Sequence, residues 1–237
     1  MARNPALSGI LFAAGGTIIF SVNDVAIKFL SGGYALHQVI LIRAFVAMTF
    51  ILCFIGLSGT GFRQLRTRRP KTHLLRVGIV MVSNVTFFLG LAALPLADAV
   101  AVAFVSPIAI TVLSVLFLRE TVGPRRWAAV ILGMIGVIIM LRPGAGVIQP
   151  AAILVLCSAI LYAAGNLLAR QMGGTESAMT LGFFVQAGFI IVSAAMGLWV
   201  GDGHLATDDK IWAFLFRPWV WPPVADWPIF LATGLAV

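Results

Sequence analysis

Asn23, Asp24 and Lys28 stand inside a long apolar run, where a carboxylate and an ammonium are costly unless they meet each other, other protein groups or water. Asp24 and Lys28 are four positions apart, so on a helix they share a face and can form an ion pair. Asp24 lies about six residues, roughly 9 Å, from the end of its run, which is deep for a headgroup charge. The plainer reading is that Lys28 snorkels to the headgroups and Asp24 follows it. Arg43 lies about eight residues into the next apolar run, and facing lipid there would cost about 2.5 kcal/mol or more. It must face protein or water, either as a cavity cation for an anionic solute group or as a structural partner for Asp24.

Other residues add a hydrogen-bonding and aromatic surface at similar depth: Asn84, Phe87 and Phe88, then Ser106 and Pro107, and later Tyr162, Asn166 and Gln186. Pro107 removes a backbone donor and kinks a helix, leaving a carbonyl that protein or water must satisfy. For Phe87 and Phe88 ordinary packing against lipid or core is the competing reading, and for Asn84 an interhelical hydrogen bond. This chemistry is suited to holding a polar solute, not to making bonds. No Walker loop, HExxH or nucleotide-binding glycine pattern occurs, and His37, His73 and His204 fall in links or near helix ends. No metal site, cofactor or nucleic-acid surface is therefore expected, and the chain does not read as an enzyme.

The elements that must carry these residues are membrane helices. Hydrophobic residues make up 61% of the 237 positions and charged residues 10%, a balance that calls for lipid as the solvent. Helices are predicted at about Leu7 to Leu30, Ala35 to Leu57, Leu74 to Ala92, Ala99 to Leu118, Arg125 to Leu141, Pro150 to Arg170 and Ala178 to Val200, with an eighth beginning near Pro228. The first run is too long for the core of a cleaved signal. Cys53 and Cys157 lie within apolar runs, so no disulfide framework is indicated.

The formal charge of +8 collects in links: Arg63, Arg66, Arg68, Arg69 and Lys71 in the second, Arg119, Arg125 and Arg126 in the fourth. These links share one side, which the positive-inside rule makes cytoplasmic, together with the amino terminus and Arg3. The stretch Gly201 to Asp226 carries Asp202, Asp208, Asp209 and Asp226 against Lys210 and Arg217, and suits the outer face. Trp127, Trp199, Trp212, Trp219, Trp221 and Trp227 fall at helix ends or in the last link, as headgroup anchors do.

An offset of 142 residues lays Phe20, Asp24, Lys28 and Gly32 over Tyr162, Asn166, Arg170 and Gly174. Five helices separate the two copies, an odd number, so the second copy enters the membrane from the opposite face and the repeat is inverted. Ala129, Gly133 and Gly136 would let another helix approach closely, within the bundle or, alternatively, in a homodimer.

The stretch Ala92 to Leu141 resembles the EamA-type branch of the drug/metabolite transporter superfamily. The resemblance is carried by Ala93-Leu94-Pro95-Leu96-Ala97-Asp98-Ala99, by Ser106-Pro107, by the acidic turn Arg119-Glu120-Thr121-Val122-Gly123, and by the Gly133, Gly136 helix ending at Leu141-Arg142-Pro143. The family usually has Gly before that Glu, where this chain has Arg119. The resemblance implies an all-α integral membrane bundle of two inverted five-helix repeats: residues 1–143 as the first, and 144–237 as the start of a second, about two and a half helices long. That second repeat reads as incomplete, because the chain stops at Leu235-Ala236-Val237 inside an apolar run.

The family tends to carry Lys or Arg at the positions of Lys28 and Arg170; Glu120 suits a structural or gating salt bridge rather than substrate contact, and Arg170 a structural or gating role. Function follows as secondary transport of a small polar metabolite or drug-like solute across the inner membrane by alternating access, driven by a coupling ion or an exchanged solute. A membrane-embedded enzyme or accessory subunit, or a channel, is the alternative.

Overall fold

The computed structural model describes residues 5–59, 61–141, 150–209 and 211–236. Arg3, Arg142, Lys210 and the repeat boundary at 143 and 144 lie outside the described residues, so the expectations resting on them stay expectations. Within the described residues the chain is α1 (Pro5–Leu30), α2 (Leu36–Leu57), α3 (Pro70–Ala93), α4 (Leu96–Ala103), α5 (Ser106–Leu118), α6 (Pro124–Leu141), α7 (Pro150–Met172), α8 (Ala178–Val200), α9 (Trp212–Phe216) and α10 (Trp227–Leu235). Two single 3-10 turns, Phe62–Leu65 and Val224–Asp226, complete the order, and no strand occurs among the described residues.

Among the described residues five segments are long and apolar enough to cross a membrane: Leu36–Leu57, Pro70–Ala93, Leu96–Leu118, Pro150–Met172 and Ala178–Val200. Their outward surfaces are apolar, with Phe50, Leu57, Leu116, Phe117, Leu198 and Trp199 all exposed, as a hydrocarbon solvent permits and water does not. The chain is a multi-pass, all-α membrane bundle.

Close packing runs along α3. It lies against α7 more extensively than any other described pair, and against α8, while α8 also packs on α2. Small residues make these approaches possible. A Cβ on Gly90 would stand 2.4 Å from Val155 Cγ2 and 2.8 Å from the Ala151 carbonyl, and one on Gly188 would stand 2.3 Å from Val77 Cγ1. Gly133 and Gly136, by contrast, have nothing within 4 Å of an added Cβ, so the close approach expected on α6 is made elsewhere in the bundle.

The fourth apolar run is two helices, not the continuous Ala99 to Leu118 of the sequence reading. Pro107 has no N–H for the Ala103 carbonyl, and the chain tightens just before it, with Val105 N–H bonding Val102 O at 3.0 Å. Helical pairing resumes at Ala109 N–H to Val105 O, 3.0 Å. The break leaves Phe104 and Val105 between two helices at mid-span.

The links sort to two ends. At one end Thr180 Oγ1 donates to Gln64 O at 2.8 Å, Thr67 Oγ1 to Glu176 at 2.7 Å, and Arg170 pairs with Glu120 at 2.8 Å. This gathers the α2–α3, α5–α6 and α7–α8 links, and with them the arginines around Arg63 and Arg69, into a basic end. At the other end the segment between α8 and α10 straps across the α1–α2 link. Arg217 donates to Ser31 O at 2.9 Å and to Tyr34 O at 3.4 Å, and Tyr34 donates to Asp226.

Candidate functional site

Helical periodicity places one polar and aromatic face from each of several elements around a common space. On α3, Val80, Ser83, Asn84, Phe87 and Phe88 follow i, i+3, i+4, i+7 and i+8, one face of the helix. On α1, Thr17, Phe20, Asn23 and Asp24 line the space over two turns, at i, i+3, i+6 and i+7; α7 contributes Ser158, Ala159 and Tyr162, and α8 contributes Val185 and Phe189. The α4–α5 break supplies Phe104, Ser106 and Pro107, and α2 supplies Arg43. Together they enclose a cavity of about 430 Å³, a size suited to a metabolite.

Arg43 is the centre of this arrangement. It is 2% exposed, donates from Nη2 to Asn84 Oδ1 at 3.4 Å, and lays its guanidinium over Phe88 and Phe189 at 5.3 and 5.6 Å from the ring centroids. Stacking on two rings offsets part of the desolvation of a buried cation. Asn84 is itself held by its Nδ2, which donates to Val80 O at 2.9 Å, and Asn23 Nδ2 reaches Asp24 Oδ1 at 3.5 Å. Two buried atoms of this set have no hydrogen-bond partner among the described residues: Asn23 Oδ1 and Arg43 Nε.

Of the residues singled out from sequence, Asn23, Asp24, Arg43, Asn84, Phe87, Phe88, Ser106, Pro107 and Tyr162 meet in this cavity. Lys28, Asn166 and Gln186 do not. Lys28 turns from Asp24 to the end of α3, where its Nζ donates to the carbonyls of Leu91, Ala92 and Leu94 at 2.6, 2.9 and 2.7 Å. The last carbonyls of a helix lack intrahelical partners and carry its negative dipole end, so they outcompete a carboxylate one turn away. Asn166 is exposed and folds its amide onto Tyr162 O of its own helix at 2.9 Å. Gln186 is buried next to Val185 without reaching the wall.

Ser83, Ser158 and Phe189 are wall residues that the sequence reading missed. Ser83 Oγ donates to Ser158 O at 3.0 Å, joining α3 to α7 behind the cavity. Continuing the α3 stripe one residue back from Asn84 would have found Ser83, and one helical step from Gln186 leads to Phe189.

Glu120 and Arg170 lie at the basic end. Arg170 forks onto both carboxylate oxygens, at 2.8 and 3.3 Å, and reaches Ser114 Oγ at 3.5 Å, tying α7 to the end of α5. Arg119 closes α5 in a left-handed conformation, φ 53° and ψ 32°, the only non-glycine residue with positive φ among the described residues. A glycine would adopt this turn without strain; Arg119 adopts it all the same. Among the described residues no three His, Cys, Asp or Glu side chains gather as metal ligands would.

The chain shares 32% identity over 176 residues with a riboflavin transporter of Rhizobium johnstonii, covering 74% of this chain and 58% of that protein. It shares 26% over 196 residues with an S-adenosylmethionine uptake transporter of Rickettsia prowazekii, covering 82% and 66%. A riboflavin transporter of Vibrio cholerae matches at 28% over 234 residues, 97% of this chain and 77% of that protein. The chain thus spans between 58% and 77% of the length of these three relatives. The model of the EamA-like transporter family matches residues 7–142, more than half of the chain, and the protein belongs to that family.

Proposed function

We propose that this protein is a secondary carrier that moves a small polar metabolite through the Arg43 cavity by alternating access. The observation that carries the reading is a buried guanidinium, stacked on two rings, inside a cavity walled by α1, α2, α3, α4, α5, α7 and α8. A fully desolvated cation in a membrane bundle marks a solute or ion pathway by default. Family membership and relatives named for riboflavin and S-adenosylmethionine transport support the same class of activity.

The carrier sits in the inner membrane with its amino terminus and basic end in the cytoplasm, and works as two inverted repeats. Lys28 and Arg170, related by the 142-residue offset, bind at opposite ends of the bundle, which supports an inverted relation. Glu120 and Arg170 act as the cytoplasmic gate, opening when the exposed ion pair separates. A coupling ion or an exchanged solute supplies the energy, and a homodimer through α6 is the candidate assembly.

Proteoliposomes preloaded with riboflavin or S-adenosylmethionine test this by counterflow of the labelled compound. Saturable counterflow that falls at least ten-fold in Arg43→Gln, with insertion unchanged, is the expected result. Flux that does not saturate indicates a channel, and wild-type flux in Arg43→Gln removes Arg43 from the pathway. Reporters fused after Arg69 and after Asp209 are expected to read cytoplasm and outside, respectively; the reverse would overturn the orientation.

A further inference from the structure

Granting the carrier reading above, the cavity holds a carboxylate whose charge no cation meets at contact distance. Asp24 lines the space and is half-buried. The cation that its spacing offers, Lys28 one turn on, is spent on the carbonyls of Leu91, Ala92 and Leu94 at 2.6, 2.9 and 2.7 Å. Arg43, the only other charged side chain of the wall, acts on Asp24 through space while its guanidinium is engaged by Asn84, Phe88 and Phe189. Among the described residues Asp24 belongs to no ion pair, and the one hydrogen bond to its carboxylate comes from the neutral amide of Asn23, at 3.5 Å to Oδ1.

Neighbouring elements bring no further charge to it among the described residues. α1 packs against α3, α4 and α10. The ionisable side chains of α3, Lys71, His73 and Arg76, lie in its first two turns at the basic end. Asp98 of α4 is exposed and outside the wall, α10 has no ionisable side chain, and α7 brings only the Tyr162 hydroxyl.

A carboxylate at this depth without a cation in contact is costly, and a proton removes the cost. Arg43 offsets part of it while its charge is unshared. A solute group that accepts from the guanidinium draws on that same charge and leaves Asp24 less compensated. Protonation of Asp24 in turn leaves Arg43 the stronger donor for the solute. Each event therefore favours the other, and by the same free energy.

We propose that Asp24 is the coupling site of the carrier: it takes a proton as Arg43 takes the solute, and the two cross the membrane together. The proton comes from water on the face of entry and adds to Oδ2, the oxygen that Asn23 does not engage. It returns to water on the other face when the solute leaves and Arg43 again acts on the carboxylate.

The test uses the intact protein in proteoliposomes with a trapped pH-sensitive dye. Riboflavin and S-adenosylmethionine are supplied in turn, and proton uptake is recorded beside uptake of the labelled compound. The expected result is about one proton entering with each molecule carried. The ratio of protons to solute should fall at least ten-fold in Asp24→Asn, whatever solute flux remains, and return in Asp24→Glu. Solute flux without protons, protons moving against the solute, or an unchanged ratio in Asp24→Asn each overturns the inference and leaves the carrier reading standing. Infrared difference spectra give a second readout that needs no solute. In mildly acidic buffer, where exposed carboxylates stay ionised, a protonated-carboxyl C=O band is expected that shifts in Asp24→Glu and vanishes in Asp24→Asn. Absence of that band from the unmodified protein overturns the inference even if neither compound is carried. Absence of saturable flux of both compounds counts against the carrier reading alone.

Discussion

The tie between α5 and α7 at the basic end is held by different chemistry from the contacts at the strap end. At the strap end the contacts are mostly donors placed on backbone carbonyls: Lys28 on three at the end of α3, Arg217 on two in the α1–α2 link, and Gln38 on Val220. At the basic end the tie between α5 and α7 is an ion pair whose side chains are 54% and 33% exposed. Carbonyls at helix ends must be satisfied wherever water is scarce, so contacts to them are stabilising and slow to break. An exposed ion pair exchanges readily with water and salt and contributes little. The comparison teaches that the tie between α5 and α7 is weaker and exchanges more readily than the contacts at the strap end, as the proposed gate requires.

The largest effect is expected from Lys28→Met, which strands three carbonyls that now share one ammonium. Thermal unfolding in detergent should show a loss on the order of 3 kcal/mol, the scale of charged hydrogen bonds removed from a part-buried site. A loss no greater than that of the ion-pair variant below would erase the distinction between the ends.

Gln38→Leu comes next. Gln38 both donates to Val220 O at 2.6 Å and accepts from Val220 N–H at 3.3 Å, and is 5% exposed. The change should cost about 1–3 kcal/mol and loosen the strap, read as faster backbone exchange around Val220.

A pH scan sharpens the same end. Tyr34 is buried and donates to Asp226; burial first, then that hydrogen bond and the aspartate charge, push its pKa from 10.0 up to about 12. A folded-state pKa above the unfolded value means that the folded chain holds the proton more tightly. The contribution is complete below pH 10 and is lost as pH rises from 10 toward 12. Tyr34→Phe should flatten that alkaline limb, and an unchanged slope would separate the pair from strap stability.

Arg119→Gly should stabilise by about 1 kcal/mol, because glycine relieves the left-handed strain at the end of α5. A lower melting temperature would show that the Arg119 side chain contributes more than its backbone costs. The smallest effect is expected of Glu120→Gln, about 0–1 kcal/mol and vanishing in high salt, alongside a clear change in solute flux. A loss of several kcal/mol that persists in high salt would make the pair a structural anchor like those at the strap end.

Much of this was legible in the residues themselves. Apolar runs long enough for lipid placed α2, α3, α7 and α8 to within a few residues of their ends, because length and hydrophobicity alone set a membrane helix. Depth in α1, α2 and α3 also marked Asn23, Asp24, Arg43 and Asn84 as residues needing protein or water around them. The fourth run shows the limit. Pro107 announced a disruption, but its spacing did not say whether one helix would bend or two would form, with Phe104 and Val105 between them. Partner choice was likewise out of reach. The spacing of Asp24 and Lys28 permits an ion pair, yet Lys28 found three carbonyls brought to it by α3, more than sixty positions away in the chain.

The sequence by itself determined that the chain lives in lipid, where its spans begin and end, and which polar residues could not be left facing hydrocarbon, because these are local consequences of transfer free energy along one helix. Only the tertiary structure decided that Arg43 would lie across Phe88 and Phe189, that Lys28 would cap α3, and that Arg170 would reach Glu120. Those outcomes depend on which helices meet, and in this bundle that is decided by small residues such as Gly90 and Gly188, whose missing side chains let α3 come close to α7 and α8.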